Sequence, residues 1–257
     1  MRGITLNSIY GEISRLIDSD FFRRFESKER SLLFMDIEQH IKEWFSLNGG
    51  GDIKSFFSDA YDNPSFSKYS YILKRGYAIE KNLETESILY IGMNPSYDTR
   101  RESPSGFYPA FDHWYYTRIK DITNKVNEEL KTNFKFAHHD LYFVRHTSQN
   151  DVLAMKTDMQ QFFKTQLDIT KSIIEAAKPK LIVVANAGAC KIFQAEMYEW
   201  RPGTPEQFDK SLGVDFIKVG NSRVPVLFTG MISGQRALDD GSYSSLIWHI
   251  CHILKSL

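Results

Sequence analysis

The chain has 257 residues, 42% of them apolar and 25% charged, which excludes global disorder and fits one α/β domain with an appendage or two small domains. Lys+Arg and Asp+Glu both number 32, so the formal net charge is zero and a strongly basic nucleic-acid binder is excluded. A local basic face remains open, with Lys74-Arg75 and Arg100-Arg101 as its candidates. The two cysteines, Cys190 and Cys251, form no CxxC pair or zinc pattern and cannot supply four iron–sulfur ligands; no cofactor is expected. Met1 to Thr5 has no apolar h-region and no segment reaches transmembrane length. A soluble, cytoplasmic protein with no membrane partner is expected; nothing in the pattern specifies an oligomeric state.

Residues 1–83 carry mostly helical signals and are expected to form a helical N-terminal extension packed on the core. Ile9, Ile13, Leu16 and Ile17 fall near helical spacing, and Leu32, Leu33, Met35, Ile37, Ile41, Trp44 and Phe45 make a stronger amphipathic pattern. Asn48 to Asp52 stops that helix. Ile53, Phe56, Phe57 and Tyr61 predict a short third helix, and Asp62 to Ser65 a turn.

Residues 84–257 read as the α/β domain. Ile88–Ile91 is a continuously apolar, β-prone run, as expected of a strand covered on both faces. It stops in Gly92-Met93-Asn94-Pro95-Ser96, and Ser96 is placed to cap a following helix. Ligands of open α/β sheets bind just beyond the carboxyl ends of strands, so Asn94 stands where chemistry is expected. It can hold a water or read a base edge, or simply close its own loop as an Asx-turn. A long polar loop follows, with Phe107, Tyr108 and Phe111 at its far end, either a stacking platform or loop-anchoring aromatics.

A helix is predicted over 114–130 and a strand over 141–144, leaving through Arg145-His146-Thr147-Ser148-Gln149. Asn150 is read as the cap of one long helix ending before Pro179. The clearest buried strand is Leu181–Ala185. Val214–Val219 and Val224–Thr229 form a hairpin, and the strand at 226–229 runs into Gly230 to Arg236. Ser242 is read as the cap of the last helix, with Asp239-Asp240 an acidic pair at its entry. Four strands alternating with helices predict a three-layer αβα domain around a four-stranded, mostly parallel sheet. GxGxxG and Walker A patterns are absent. His138-His139-Asp140 raises a metal site, but adjacent histidines before a buried strand point to opposite faces and do not share a ligand.

Four features resemble the uracil-DNA glycosylase superfamily: the strand and turn Leu89 to Ser96, similar to the Gly-x-Asn-Pro motif of its mismatch-specific branch; Gly106-Phe107-Tyr108; the strand exit Leu141 to Ser148; and Met231-Ile232-Ser233-Gly234 after a strand. The resemblance covers about residues 85–257 at the level of layout. It implies a DNA partner and hydrolysis of the N-glycosidic bond of a flipped, deaminated or mismatched base, without a metal. Asn94 would position the attacking water. Gly92, Met93, Phe107, Tyr108, Arg145 and His146 would hold the base, and Ser96, Ser233, Gly234 and Arg236 would meet phosphate or the leaving group. Met231 and Ile232 stand where the family has a polar residue and proline, and Met donates no hydrogen bond. A noncatalytic nucleic-acid or nucleotide module on the same fold, and a small-molecule hydrolase on an unrelated α/β sheet, are the rival readings.

Overall fold

The computed structural model describes residues 34–97, 105–108, 114–198, 207–234 and 237–257. Residues 35–257 form one compact unit. The helical signals placed at Ile9 to Leu33 lie outside the described residues, as do Arg100, Arg101 and Arg236.

The central sheet is built from β4 (Ile88–Gly92), β6 (Phe136–Asp140), β7 (Leu181–Ala185), β8 (Phe208–Asp209), β9 (Val214–Val219) and β10 (Ser222–Thr229). Their spatial order is β6-β4-β7-β10-β9-β8. The first four are parallel, β9 pairs antiparallel with β10 and β8 antiparallel with β9, so the sheet has six strands rather than the expected four and is mixed but mostly parallel. The hairpin joining β9 to β10 turns through Gly220, whose φ of 57° lies in the left-handed region a tight turn of this kind needs.

Strand alternation divides the core in two. Leu89, Ile91, Ile182 and Val184 face one apolar layer, and Ile88, Tyr90, Leu181 and Val183 face the other. The first layer is completed by α1 (Ile37–Leu47), α2 (Ile53–Asp62), α5 (Gln149–Asp158), α6 (Gln160–Ala177) and the short α7 (Ala187–Ile192). The second is completed by α4 (Thr117–Leu130) and α8 (Asp240–Leu254). Burying a large apolar side chain stabilises by about 1.5–3 kcal/mol, so both layers contribute heavily to holding the sheet.

Several boundaries differ from the sequence reading. The second parallel strand is Phe136–Asp140, ahead of the apolar run 141–144. That run continues beside β4 as coil, with the Leu141 and Tyr142 amides donating to the Gly92 and Met93 carbonyls. The long helix breaks at Met159 (ψ 46°), and Ser148 rather than Asn150 caps its first half. The last helix is capped by Asp239, whose carboxylate accepts from the Ser242 amide and hydroxyl. Before the core, residues 64–69 form a 3-10 turn followed by α3 (Ser70–Leu73). Unforeseen short strands include β1 (Phe34–Asp36), β2 (Ala78–Glu80) and β3 (Asn82–Glu84). β2 pairs with β5 (Gly106–Tyr108), which brings the aromatic loop back onto the domain.

No helix among the described residues is long and apolar enough to cross a membrane.

Candidate functional site

The chain leaves β4 for α4, on one face of the sheet, and leaves β7 for α7, on the other. The crevice between two such exits is where open α/β sheets place ligands. Met93 and Asn94 stand at one lip and Asn186 to Gly188 at the other. They approach closely, since a Cβ on Gly188 would lie 2.9 Å from Met93 Sδ and 3.3 Å from Asn186 Oδ1. Asn186 holds φ 78° and ψ 148°, a conformation costly for any residue but glycine, while its side chain accepts from the Ala189 amide. Such strain is concentrated at functional sites. The sequence offered only a small-residue turn after β7 as its signal.

Asn94 is fixed in orientation. Its Nδ2 lies 2.6 Å from His146 O, 3.2 Å from Val144 O and 3.1 Å from Pro95 O, so its two protons are committed to backbone carbonyls. No group among the described residues donates to Oδ1. The amide both ties the strand exits of β4 and β6 together and leaves an oriented acceptor.

Arg145 and His146 arrive at the same edge. Arg145 is buried and its guanidinium donates to Arg75 O. His146 lies between Asp151, 2.9 Å from Nε2, and the Arg75 guanidinium at Nδ1. The Asp151 carboxylate is held below its usual range by that His146 hydrogen bond. Arg75 and Arg145 both lie over the Tyr97 ring, at 4.5 and 5.1 Å. Two cations on one aromatic face region make a local basic patch in a chain of zero net charge.

The buried side of the edge strand carries a second group. His138 and Asp140, two residues apart on β6, share one face, and Glu80 reaches them from β2. His138 Nδ1 lies 2.7 Å from Glu80 Oε1 and Nε2 lies 3.9 Å from Asp140 Oδ1. Adjacent histidines do point apart, as strand alternation requires: His138 packs against Tyr115 and Tyr116, His139 against Phe143. Both nevertheless reach Glu80, with His139 Nδ1 3.5 Å from Oε2. Burial opposes the charge on Glu80, yet His138 and His139 hold it well below the carboxylate range. Burial pushes Asp140 up to about 7, and nearby Glu80 adds to that rise. Burial opposes the His138 charge too, but Asp140 and Glu80 outweigh it and its pKa is raised. Glu80 and Asp140 were missed by sequence reasoning. Glu80 sits in a segment read as helical, and the polar string Phe136–Asp140 does not resemble a buried strand.

The remaining expected residues are distributed as follows. Gly92 stands in register with Asp140. Tyr108 donates to Glu80 Oε1 at 2.9 Å, and Phe107 packs edge-on against Tyr77. Ser96 is exposed in coil. Ser233 is buried and donates to Tyr115 O at 2.7 Å, while Arg118 donates to Ile232 O and Leu238 O. Residues 231–234, with Gly234 at φ 95°, and Leu238 are therefore held by Tyr115 and by Arg118 at the start of α4. Through Tyr115, whose ring centroid is 5.9 Å from that of His138, this segment neighbours the β6 cluster. Arg236 lies outside the described residues.

Neither a scan of protein-family models nor a search of the curated proteins finds a match. The functional reading therefore rests on the geometry of the strand exits. That geometry offers an oriented amide acceptor, a basic aromatic patch and a buried pair of carboxyls, all at the carboxyl end of the parallel strands.

Proposed function

We propose that the chain is a DNA glycosylase-like enzyme that hydrolyses the N-glycosidic bond of a deaminated or mismatched base extruded into the crevice between the exits of β4 and β7. The observation that carries this reading is the Asn94 amide. Its protons are fixed by three carbonyls, so its Oδ1 is presented as an acceptor, which is what orienting a water for attack on the sugar requires. Asn is a weak base, so stabilisation of the cationic sugar falls to electrostatics. The place for the base is beside Asn94. The half-buried Arg75, lying over the Tyr97 ring, supplies a cation that suits a phosphate backbone.

The test is base release from oligonucleotides carrying uracil, hypoxanthine or a thymine mismatch. Wild type releases base, and folded Asn94→Ala does not. One observation favours the noncatalytic alternative: the Ser233 hydroxyl is engaged by the Tyr115 carbonyl, and Met231 has no donor to offer a leaving base. On that reading the chain binds such DNA and releases nothing.

A further inference from the structure

The geometry points to a binding site for one divalent transition-metal ion between β2 and β6, ligated by His138 Nε2 and the Asp140 carboxylate, with Glu80 as the orienting carboxylate behind His138. This goes beyond the base-release reading, and no step of that chemistry runs through the ion.

The donor set comes first. Glu80, His138 and Asp140 gather within 4.8 Å of one another, and of the three His138 Nε2 and the Asp140 carboxylate are the ones left to ligate. Imidazole and carboxylate together suit zinc and its first-row neighbours. The orientation comes second. Glu80 Oε1 engages His138 Nδ1 at 2.7 Å, and Tyr108 anchors the same oxygen at 2.9 Å. A carboxylate on one imidazole nitrogen, fixing the tautomer so that the other nitrogen faces the metal, is the usual outer arrangement of metal-binding histidines.

The open valence comes third. His138 Nε2 is buried and has no hydrogen-bond partner, although such nitrogens are rarely left bare in a protein interior. It faces Asp140 Oδ1 at 3.9 Å. That gap is too long for a direct hydrogen bond, which ends near about 3.2 Å. A bridging water with two bonds of about 2.8 Å at a tetrahedral angle would need about 4.6 Å. Two coordinate bonds of about 2.1 Å span up to about 4.2 Å, so an ion fits the gap with a wide angle. Gly92 permits this placement: a Cβ there would stand 2.1 Å from Asp140 Oδ1 and 3.3 Å from His138 Nε2.

The test uses the full chain stripped with EDTA and titrated with Zn²⁺ alone. Bound metal is read by elemental analysis, and the melting temperature is followed during loading. The expected result is one zinc per chain and a melting temperature that rises with zinc concentration, as ligand binding to the folded state requires. Asp140→Asn is close to isosteric and should weaken zinc binding by at least about tenfold; Glu80→Gln, a positioning change, should weaken it by about tenfold. Co²⁺ loading of wild type gives a second measurement that needs no variant: visible d–d bands of a nitrogen/oxygen site without the intense thiolate charge-transfer bands. A wild-type chain that retains no zinc and shows no Co²⁺ bands would overturn the site. So would zinc affinity unchanged in folded Asp140→Asn. Metal content and melting are read without DNA, so failure here is distinct from failure of base release.

Discussion

Gly92 and Asp140 stand opposite each other at the carboxyl ends of β4 and β6, so close that a methyl group on Gly92 would sit 2.1 Å from Asp140 Oδ1. The carboxyl occupies space only a glycine leaves. Gly92→Ala must therefore displace Asp140 or splay the strands, and overpacking of this kind costs about 1–3 kcal/mol. Urea unfolding should show that loss for Gly92→Ala. The double variant Gly92→Ala/Asp140→Ala should recover part of it, because the clashing atom is gone.

Asn94 has a structural as well as a chemical part, and two substitutions separate them. Asn94→Ala leaves the Val144 and His146 carbonyls without their donor, which costs about 1–3 kcal/mol. Asn94→Asp keeps an acceptor but loses the donor and sets a carboxylate against carbonyl oxygens, so its stability loss should be at least as large. Thermal melts of both variants against wild type check this, and they fix the temperature at which activity assays compare folded protein.

Asn186 carries a strained backbone for the sake of a turn. Asn186→Gly should be neutral or stabilising by up to about 1 kcal/mol, since glycine relieves the φ of 78° and costs only a few tenths as a cap. Asn186→Ala keeps the strain and loses the cap, and should destabilise by about 1–2 kcal/mol. Chemical denaturation of the pair distinguishes them. If the strain positions the crevice lip against Met93, the relieved Asn186→Gly variant loses activity while gaining stability.

Acid sensitivity can be assigned at the α4–α8 contact. The Lys125 ammonium and the Tyr243 hydroxyl, 2.6 Å from Asp121 Oδ2, hold Asp121 below its usual range. A carboxylate depressed in the folded state contributes stability above its unfolded pKa of about 3.9 and loses it as pH falls through the folded value. Tyr243→Phe should therefore be less stable than wild type at neutral pH, and the gap should narrow below about pH 4. Unfolding midpoints measured across pH 3–7 in both proteins test the sign.

The elements legible in the sequence were those whose side chains announce burial. Ile88 to Ile91, Leu181 to Ala185 and the hairpin at 214–229 are apolar at the right period and lie where the pattern put them. Phe136–Asp140 was invisible for the opposite reason. It is an edge strand whose inward residues are histidines and an aspartate, and Glu80, distant in sequence, helps make the burial of the histidines tolerable. The apolar run 141–144 competed for the assignment and won on hydrophobicity alone. The same blindness hid the buried carboxyl cluster, because β2 lies inside a helical-looking segment. Asn94, by contrast, was placed at the strand exit from the turn chemistry around it; what the sequence could not give was that its amide protons belong to the backbone at Val144 and His146.

The most direct measurement is single-turnover cleavage at abasic sites after incubation of the purified chain with duplexes holding uracil, hypoxanthine or a thymine mismatch. The account predicts abasic product on at least one duplex with wild type, and its disappearance with an Asn94→Ala protein that still melts cooperatively above the assay temperature. Folded wild type that leaves every base attached, or an Asn94→Ala variant that releases base at the wild-type rate, would contradict it.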